Sequence, residues 1–250
     1  MKNLLVIAFI LFKSSIIGQE LSDKEIINKA VAFLKVNEKN LLADKICLKA
    51  LPNQNNKVIV VLPVISNRDS ECEECFDIDN NLLVWNKNTK SIEFKYIKKA
   101  EWTSDALRFD ELKIDTGLYY LNKKTRAFGI RYSYSGSSSV NPFSLNSINL
   151  YCFKNNQIVE VLHDFELEKS NGENGGGCEN ASFETSKSVF VINTNLADKF
   201  NDIIVKTKFK DYSLDANCDK EIIKKQSSKQ SVLRFDEKQK MYVLVPKLLN

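Results

Sequence analysis

His163 is the single histidine among 250 residues, and that count restricts the chemistry open to the chain. A site with several imidazole ligands is impossible, and a histidine-assisted nucleophile has only this residue to use. In QIVEVLHDFELE, His163 shares strand parity with Val159, Val161, Phe165 and Leu167. That parity places it on the apolar face as a packed residue rather than an acid–base group. The other parity carries Glu160, Asp164, Glu166 and Glu168, interrupted by Leu162. Such a row can bind a hard cation or supply an acid and a base. Lys206, Lys208 and Lys210 in NDIIVKTKFKD form a row of opposite sign, and if the two strands are neighbours the rows simply pair across a sheet.

Two further segments carry reactive side chains. DSECEECFDIDNN joins the CxxC of Cys72 and Cys75 to Asp69, Glu71, Glu73, Glu74, Asp77 and Asp79. Glutamates beside the thiols disfavour a thiolate, which argues for a structural bridge and against a redox pair. The segment also lacks the glycine and terminal glutamate of a helical calcium loop. GIRYSYSGSSSVNPFS gathers Ser133, Ser135, Ser137, Ser138 and Ser139 around Gly136, with Tyr132, Tyr134 and Phe143 nearby. It has no GxSxG nucleophile elbow, and serine, tyrosine and glycine together build adaptable recognition surfaces. Ser135, Gly136, Ser137, Asn141 and Phe143, with Glu173 from the glycine-rich loop NGENGGGC, are therefore the candidate binding residues. No catalytic residue, cofactor or metal site is expected.

The elements that must position these residues begin after residue 18. MKNLLVIAFILFKSSIIG has a basic start, an apolar run from Leu4 to Phe12 and a small-residue end, which reads as a secretory signal peptide. The run is too short to span a bilayer, which takes about 20 residues. Cleavage near Gly18 removes Lys2 and Lys13 and lowers the net charge from +4 to +2, too small a balance to favour nucleic acid. Export makes disulfides the first reading of the six cysteines. Cys178 and Cys218 lie in polar loops about 40 residues apart and form the leading pair. Cys72 and Cys75 bridge to each other or to Cys47, and Cys152 in INLYCF reads as a buried thiol or a partner.

LSDKEIINKAVAFLK sets Ser22 and Glu25 at capping-box spacing and Ile26, Ile27, Ala30, Val31 and Leu34 at helical spacing. Downstream the period becomes two, in short segments rich in β-branched and aromatic residues such as KVIVVLPVI, NLLVWN, AFGIRYSY and KSVFVIN. The expected organisation is a signal peptide over 1–18, a helical segment over 19–45 and an antiparallel β domain over 46–250. Hairpin turns at Lys87–Lys90, Asn155–Asn156 and Asp236–Gln239 recur at roughly 70- to 80-residue intervals. This spacing hints at three sheet units, in a multi-sheet sandwich or a small propeller-like fold. In LRFDELKID, the apolar parity changes between Phe109 and Leu112, which calls for a bulge near Asp110 and Glu111.

FDIDNNLLVWNKNTKSI, TSDALRFDELKIDTGLYYLNKKTRAFGIRYSYSGSSSVNPFS, INLY, NGE before Cys178, NDIIV and LRFDEKQKMYVLVP occur in that order. With these segments the chain resembles a family of uncharacterised exported bacterial proteins over most of its length after the signal. The resemblance implies a shared β fold and export, and it carries no assigned activity. The family has an aromatic residue after NGE where this chain has Asn174 and three glycines, and the CxxC is a local addition. The functional expectation is a non-catalytic binding or structural module that recognises an unknown protein or glycan. The alternatives are a carboxylate-dependent hydrolase and a lysozyme-inhibitor-like protein that inserts SYSGSSS into an enzyme cleft.

Overall fold

A computed structural model describes residues 22–192 and 198–245, so the expected signal peptide lies outside the described residues. Helix α1 (Asp23–Leu34) starts as its sequence predicts. The Ser22 hydroxyl accepts the Glu25 N–H and the Glu25 carboxylate accepts the Ser22 N–H at 2.8 Å. Its buried face, Ile26, Ala30 and Val31, packs on Val58, Val60, Leu62, Leu83 and Trp85.

All else of regular length is antiparallel strand. The first sheet runs in chain order through β1 (Cys47–Leu51), β2 (Gln54–Arg68), β3 (Phe76–Asn86) and β4 (Ser91–Ser104). The second, also in chain order, contains β5 (Leu107–Tyr120), β6 (Arg126–Gly136), β7 (Phe143–Lys154), β8 (Gln157–Asn174), β9 (Ala181–Ile192), β10 (Ile203–Leu214), β11 (Glu221–Asp236) and β12 (Met241–Val245). The expected turns form: Asn155 and Asn156 have φ of 50° and 57°, the left-handed pair that a two-residue hairpin of matching twist requires. The predicted bulge is present, with the β5–β6 register shifting between Phe109 and Glu111.

The three-unit and propeller readings do not hold. Only one connection starts a new sheet, between β4 and β5, and from β5 onward every strand pairs with its predecessor. The regular spacing of hairpins therefore marks turns within a continuous meander.

Two cores follow. In the first, Ile59, Val61, Ile78, Leu82, Val84 and Trp102 face Phe109, Leu112, Ile114, Phe128, Ile130 and Tyr151 across the sandwich. In the second, Ile148, Leu150, Cys152, Val161 and Leu162 meet Ile203, Val205, Leu233 and Tyr242. The long sheet thus coils until its last strands cover the reverse face of β7 and β8. As a result, β7 is buried at every position from Ser147 to Cys152.

Disulfides join Cys72 to Cys75 and Cys178 to Cys218, a pattern compatible with an exported protein. Cys47 is not bridged, so of its two readings the CxxC pairs within itself. Burial pushes the thiols of Cys47 and Cys152 up to about 12, which keeps both protonated. Among the described residues no helix is long and apolar enough to cross a membrane.

Loop length sets an expected contrast. The Cys178–Cys218 link has a sequence separation of 40, the Cys72–Cys75 link one of 3. By chain entropy the first stabilises by about 4 kcal/mol and the second by about 2. Urea denaturation of paired Cys→Ser variants should rank them in that order, and equal losses would contradict it.

Candidate functional site

Two bulges face each other across the sandwich and build a polar cluster. In β4, Lys98 pairs with Asn80 and Trp102 with Ile78, so Asp79 alone opposes residues 99–101. In β8, Phe165 pairs with Ile148 and Leu162 with Leu150, so Asn149 alone opposes His163 and Asp164. Ala100 at φ 46° and Asp164 at φ 45° absorb the extra residues in the left-handed region, a conformation that costs roughly 1–3 kcal/mol for such side chains. Hydrogen bonds hold both turns. Asp79 accepts the Ala100 N–H at 3.0 Å and Lys99 Nζ at 2.5 Å. Asn149 Oδ1 accepts the Asp164 N–H at 2.6 Å, and Tyr132 donates to Asp164 at 2.7 Å. Burial alone would raise the Asp79 carboxyl, but Lys99 and the Ala100 N–H hold it below the ordinary carboxylate range.

The β4 bulge turns Glu101 inward until its side chain has no exposed surface. Its Oε1 accepts Asn149 Nδ2 at 2.7 Å, and its Oε2 lies 2.9 Å from Lys98 Nζ. Glu160 joins from β8: it accepts Tyr96 Oη at 2.9 Å and Lys98 Nζ at 3.3 Å, and lies 2.9 Å from His163 Nδ1. Burial raises the Glu101 carboxyl above its usual range, Lys98 opposes the rise and Glu160 adds to it. Burial would lower Lys98, but the two glutamates more than offset it and leave its ammonium favoured.

His163 therefore differs from the expectation. Strict alternation puts it on the apolar face, but the two-for-one bulge opposite Asn149 resets the parity and leaves its side chain 42% exposed. The expected pairing of the Glu160–Glu168 row with Lys206, Lys208 and Lys210 is also absent, because β9 lies between β8 and β10. Glu168 pairs instead with Lys187 of β9 at 2.7 Å, and Lys210 with Glu221 of β11 at 2.6 Å. Glu101, Lys98 and Tyr96 were not legible as site residues, since nothing in SIEFKYIKKAEW announces a bulge.

Chemically, Glu101, Glu160 and His163 bring ligand atoms within 4.8 Å of one another, a set able to hold a hard divalent cation. Lys98 already places a positive charge between the two carboxylates. A cleft of about 290 Å³ opens beside the cluster, bordered by Glu101, Trp102, Tyr132, Tyr134, His163 and Asp164. Trp102 keeps its buried indole N–H without a protein partner. At this cleft Glu101 is covered, which leaves the His163 imidazole as the accessible member of the cluster. The arrangement acts as an ionic clamp between β4 and β8.

A second cleft, of about 430 Å³, lies at the far end of the long sheet. Asn141, Glu173, Glu184 and Asp211 line it together with Phe183 and Tyr212, whose rings stack at 5.2 Å between centroids. Gly172, Phe183 and Tyr212 are direct neighbours across β8, β9 and β10. A Cβ on Gly172 would sit 2.7 Å from both the Phe183 ring and Pro142, so only glycine lets the ring lie there. Loop 137–142 is tied to β8 by the Gly172 N–H to Pro142 carbonyl bond, 2.8 Å, and the Asn174 N–H to Val140 carbonyl bond, 2.7 Å.

Of the sequence-predicted binding residues, Asn141 and Glu173 line this cleft. The others do not meet there. Ser135 accepts Arg108 Nη2 at 3.3 Å in the β5–β6 ladder, Gly136 lies against Phe143, Ser137 is on the exposed turn, and Phe143 has Lys169 Nζ 5.9 Å from its ring centre. Sequence reasoning missed Phe183 and Tyr212. Their signal was the glycine at the strand neighbour they cover, which alternation alone does not reveal.

No protein family, curated protein or solved structure matches the chain. What defines it is its own architecture, a coiled two-sheet β sandwich with an inter-sheet ionic clamp and an aromatic-floored cleft.

The clamp has a pH signature. The Glu101 carboxyl is raised in the fold, so stability tied to its protonated form is complete below the ordinary carboxylate range and falls as pH rises through the folded value. Glu101→Gln should hold stability within about 1 kcal/mol of the parent at pH 8 and flatten that decline. Glu160→Gln, which weakens the acceptor for three partners, should cost about 3 kcal/mol. Urea melts across pH check both, and a large loss in Glu101→Gln alone would contradict the assignment.

Proposed function

We propose that the protein is an exported, non-catalytic binding module whose ligand is a glycan seated in the cleft over Phe183 and Tyr212. The carrying observation is the pair of stacked rings flanked by Asn141, Glu173, Glu184 and Asp211. Lys210 Nζ lies 4.5 Å over the Tyr212 ring, and the remaining ring surface suits the apolar C–H faces of a sugar, while carboxylates and an amide accept from its hydroxyls. Three acids, against Lys224 in the lining and Lys210 beside it, still disfavour an anionic ligand. The volume is that of a small-ligand site.

Preorganisation supports the reading. The Cys178–Cys218 bridge joins the β8–β9 loop to the β10–β11 loop at this end of the sheet, and the hydrogen-bonded 137–142 loop supports the opposite wall. A site held in place loses less freedom on binding. The resemblance to exported bacterial proteins and the two disulfides support export. For a carboxylate-dependent hydrolase, the favouring feature is the approach of Glu101 and Glu160, and the burial of Glu101 weighs against it.

Glycan-array binding with the oxidised protein tests the proposal. The parent should retain a subset of neutral oligosaccharides, Tyr212→Ala should bind them about 10- to 100-fold more weakly, and Gly172→Val should displace the Phe183 ring and do the same. No retained glycan, or binding unchanged in Tyr212→Ala, would overturn it. Inhibition of a lysozyme that is lost in Ser137→Trp but kept in Tyr212→Ala would move recognition to the serine loop.

A further inference from the structure

We infer that the outer edge of β11 docks an acidic, extended segment of a partner protein, which adds to the sheet as a further antiparallel strand. β10 pairs with β11 along its length, from Glu221 to Leu233. On the other side β12 covers only Val232 to Asp236. Among the described residues, no strand pairs with the outer side of 221–231.

Every residue from 221 to 230 is exposed, so this stretch has no layer packed over either face. Alternate residues of a strand direct their N–H and C=O to the same side, and the stretch therefore presents about five residues' worth of outward-facing backbone groups. Proteins usually shorten or cover such an edge. This one is long and held ready. Cys218 anchors its hairpin end to Cys178, and the Asp215 carboxylate accepts the N–H groups of Asp219 and Lys220 at 2.8 and 3.1 Å.

Charge selects the occupant. The edge carries Lys220, Lys224, Lys225 and Lys229, and its one acid, Glu221, is paired with Lys210. Lys225 and Lys229 stand opposite Asp211 and Thr207 on one face. On the other face, Gln226, Ser228 and Gln230 stand opposite Lys210, Lys208 and Lys206. An incoming strand with carboxylates at alternate positions meets Lys225 and Lys229 directly, and its other face meets the glutamines and serine with the β10 lysines behind them. A second copy of this edge would set lysines against lysines. A polyanion without amides would leave the edge backbone unpaired. Ile222 and Ile223, 53% and 46% exposed, offer apolar contact at the hairpin end.

The inference does not rest on the glycan reading, although the edge shares Lys224 with the cleft lining, and its probe is a capped ten-residue peptide alternating Glu and Thr. Titrated into the full oxidised chain, it should bind in the micromolar range and slow hydrogen exchange at amides within 221–231. Lys225→Glu with Lys229→Glu, at exposed positions and verified folded by circular dichroism, should weaken it at least about 10-fold. N-methylation of alternate peptide residues should abolish binding in one phase and spare it in the other, because only one phase faces β11. No binding up to millimolar peptide would overturn the inference. Equal binding of both N-methylated phases, or heparin binding without exchange protection of the edge, would reduce the surface to unspecific charge. A concentration-dependent dimer lost in the double variant would assign the edge to a second copy instead.

Discussion

Burial of β7 on both faces is the constraint from which the rest of the structure follows. A strand enclosed between two cores has no water for its polar groups, so an unpaired one is costly. Ser147 Oγ is left without a partner, whereas Asn149 is fully served. Asn149 is fully buried at the centre of β7, and its amide reaches Glu101, Tyr151, Tyr132 and the Asp164 N–H. Glu101 and the Asp164 N–H reach it because β4 and β8 each insert extra residues. The bulge that turns Glu101 inward also brings a charge into the protein, and Lys98 compensates for it. Removing Lys98 would leave the Glu101 charge buried and unpaired, the costly case for such pairs, whereas without Glu101 the part-exposed Lys98 keeps Glu160. The strained backbone at Ala100 and Asp164 is thus part of holding the two sheets in register.

The same coiling that covers β7 leaves other surface uncovered. The last strands fold back over β7 and β8 only as far as Ile203, Val205 and Leu233 carry apolar side chains. Beyond them, β9, β10 and β11 continue as a polar sheet with exposed lysines, serines and glutamines. The clamp and its cleft belong to the packed half, and the aromatic cleft and free edge to the open half. Under the proposed function, stability and recognition fall in different halves of the molecule. The Cys178–Cys218 bridge restrains the loops at the open end, where side-chain packing is thin.

Much of this organisation can be read from residue order. Ser22 and Glu25 start the helix, two-residue alternation marks the strands, and the parity change after Phe109 locates a real bulge. Asn155 and Asn156 announce their turn, and two loop cysteines find each other over 40 residues. What escaped depends on contacts between distant segments. His163 was assigned to the apolar face because alternation presumes an unbroken ladder, and the break is set by Asn149 on the neighbouring strand. β1 was missed since CLKAL is short and only its last residue is buried. The Glu–Lys rows were matched by sign, whereas sheet order put β9 between them. Asn141 was legible as a surface-loop residue, while Glu173, expected in the glycine-rich loop, lies near the end of β8, and the rings beside them were hidden in strands that look ordinary one at a time.

The central claim is that recognition occurs over Phe183 and Tyr212 while the Glu101 cluster serves the fold. The most direct measurement is an amide-resolved NMR titration of the oxidised protein with pooled neutral oligosaccharides. The account predicts concerted shifts at residues 171–173, 182–184 and 211–212, with those at 98–101 and 160–164 unmoved. Shifts centred on Glu101, Glu160 and His163, with the distal cleft silent, would contradict it.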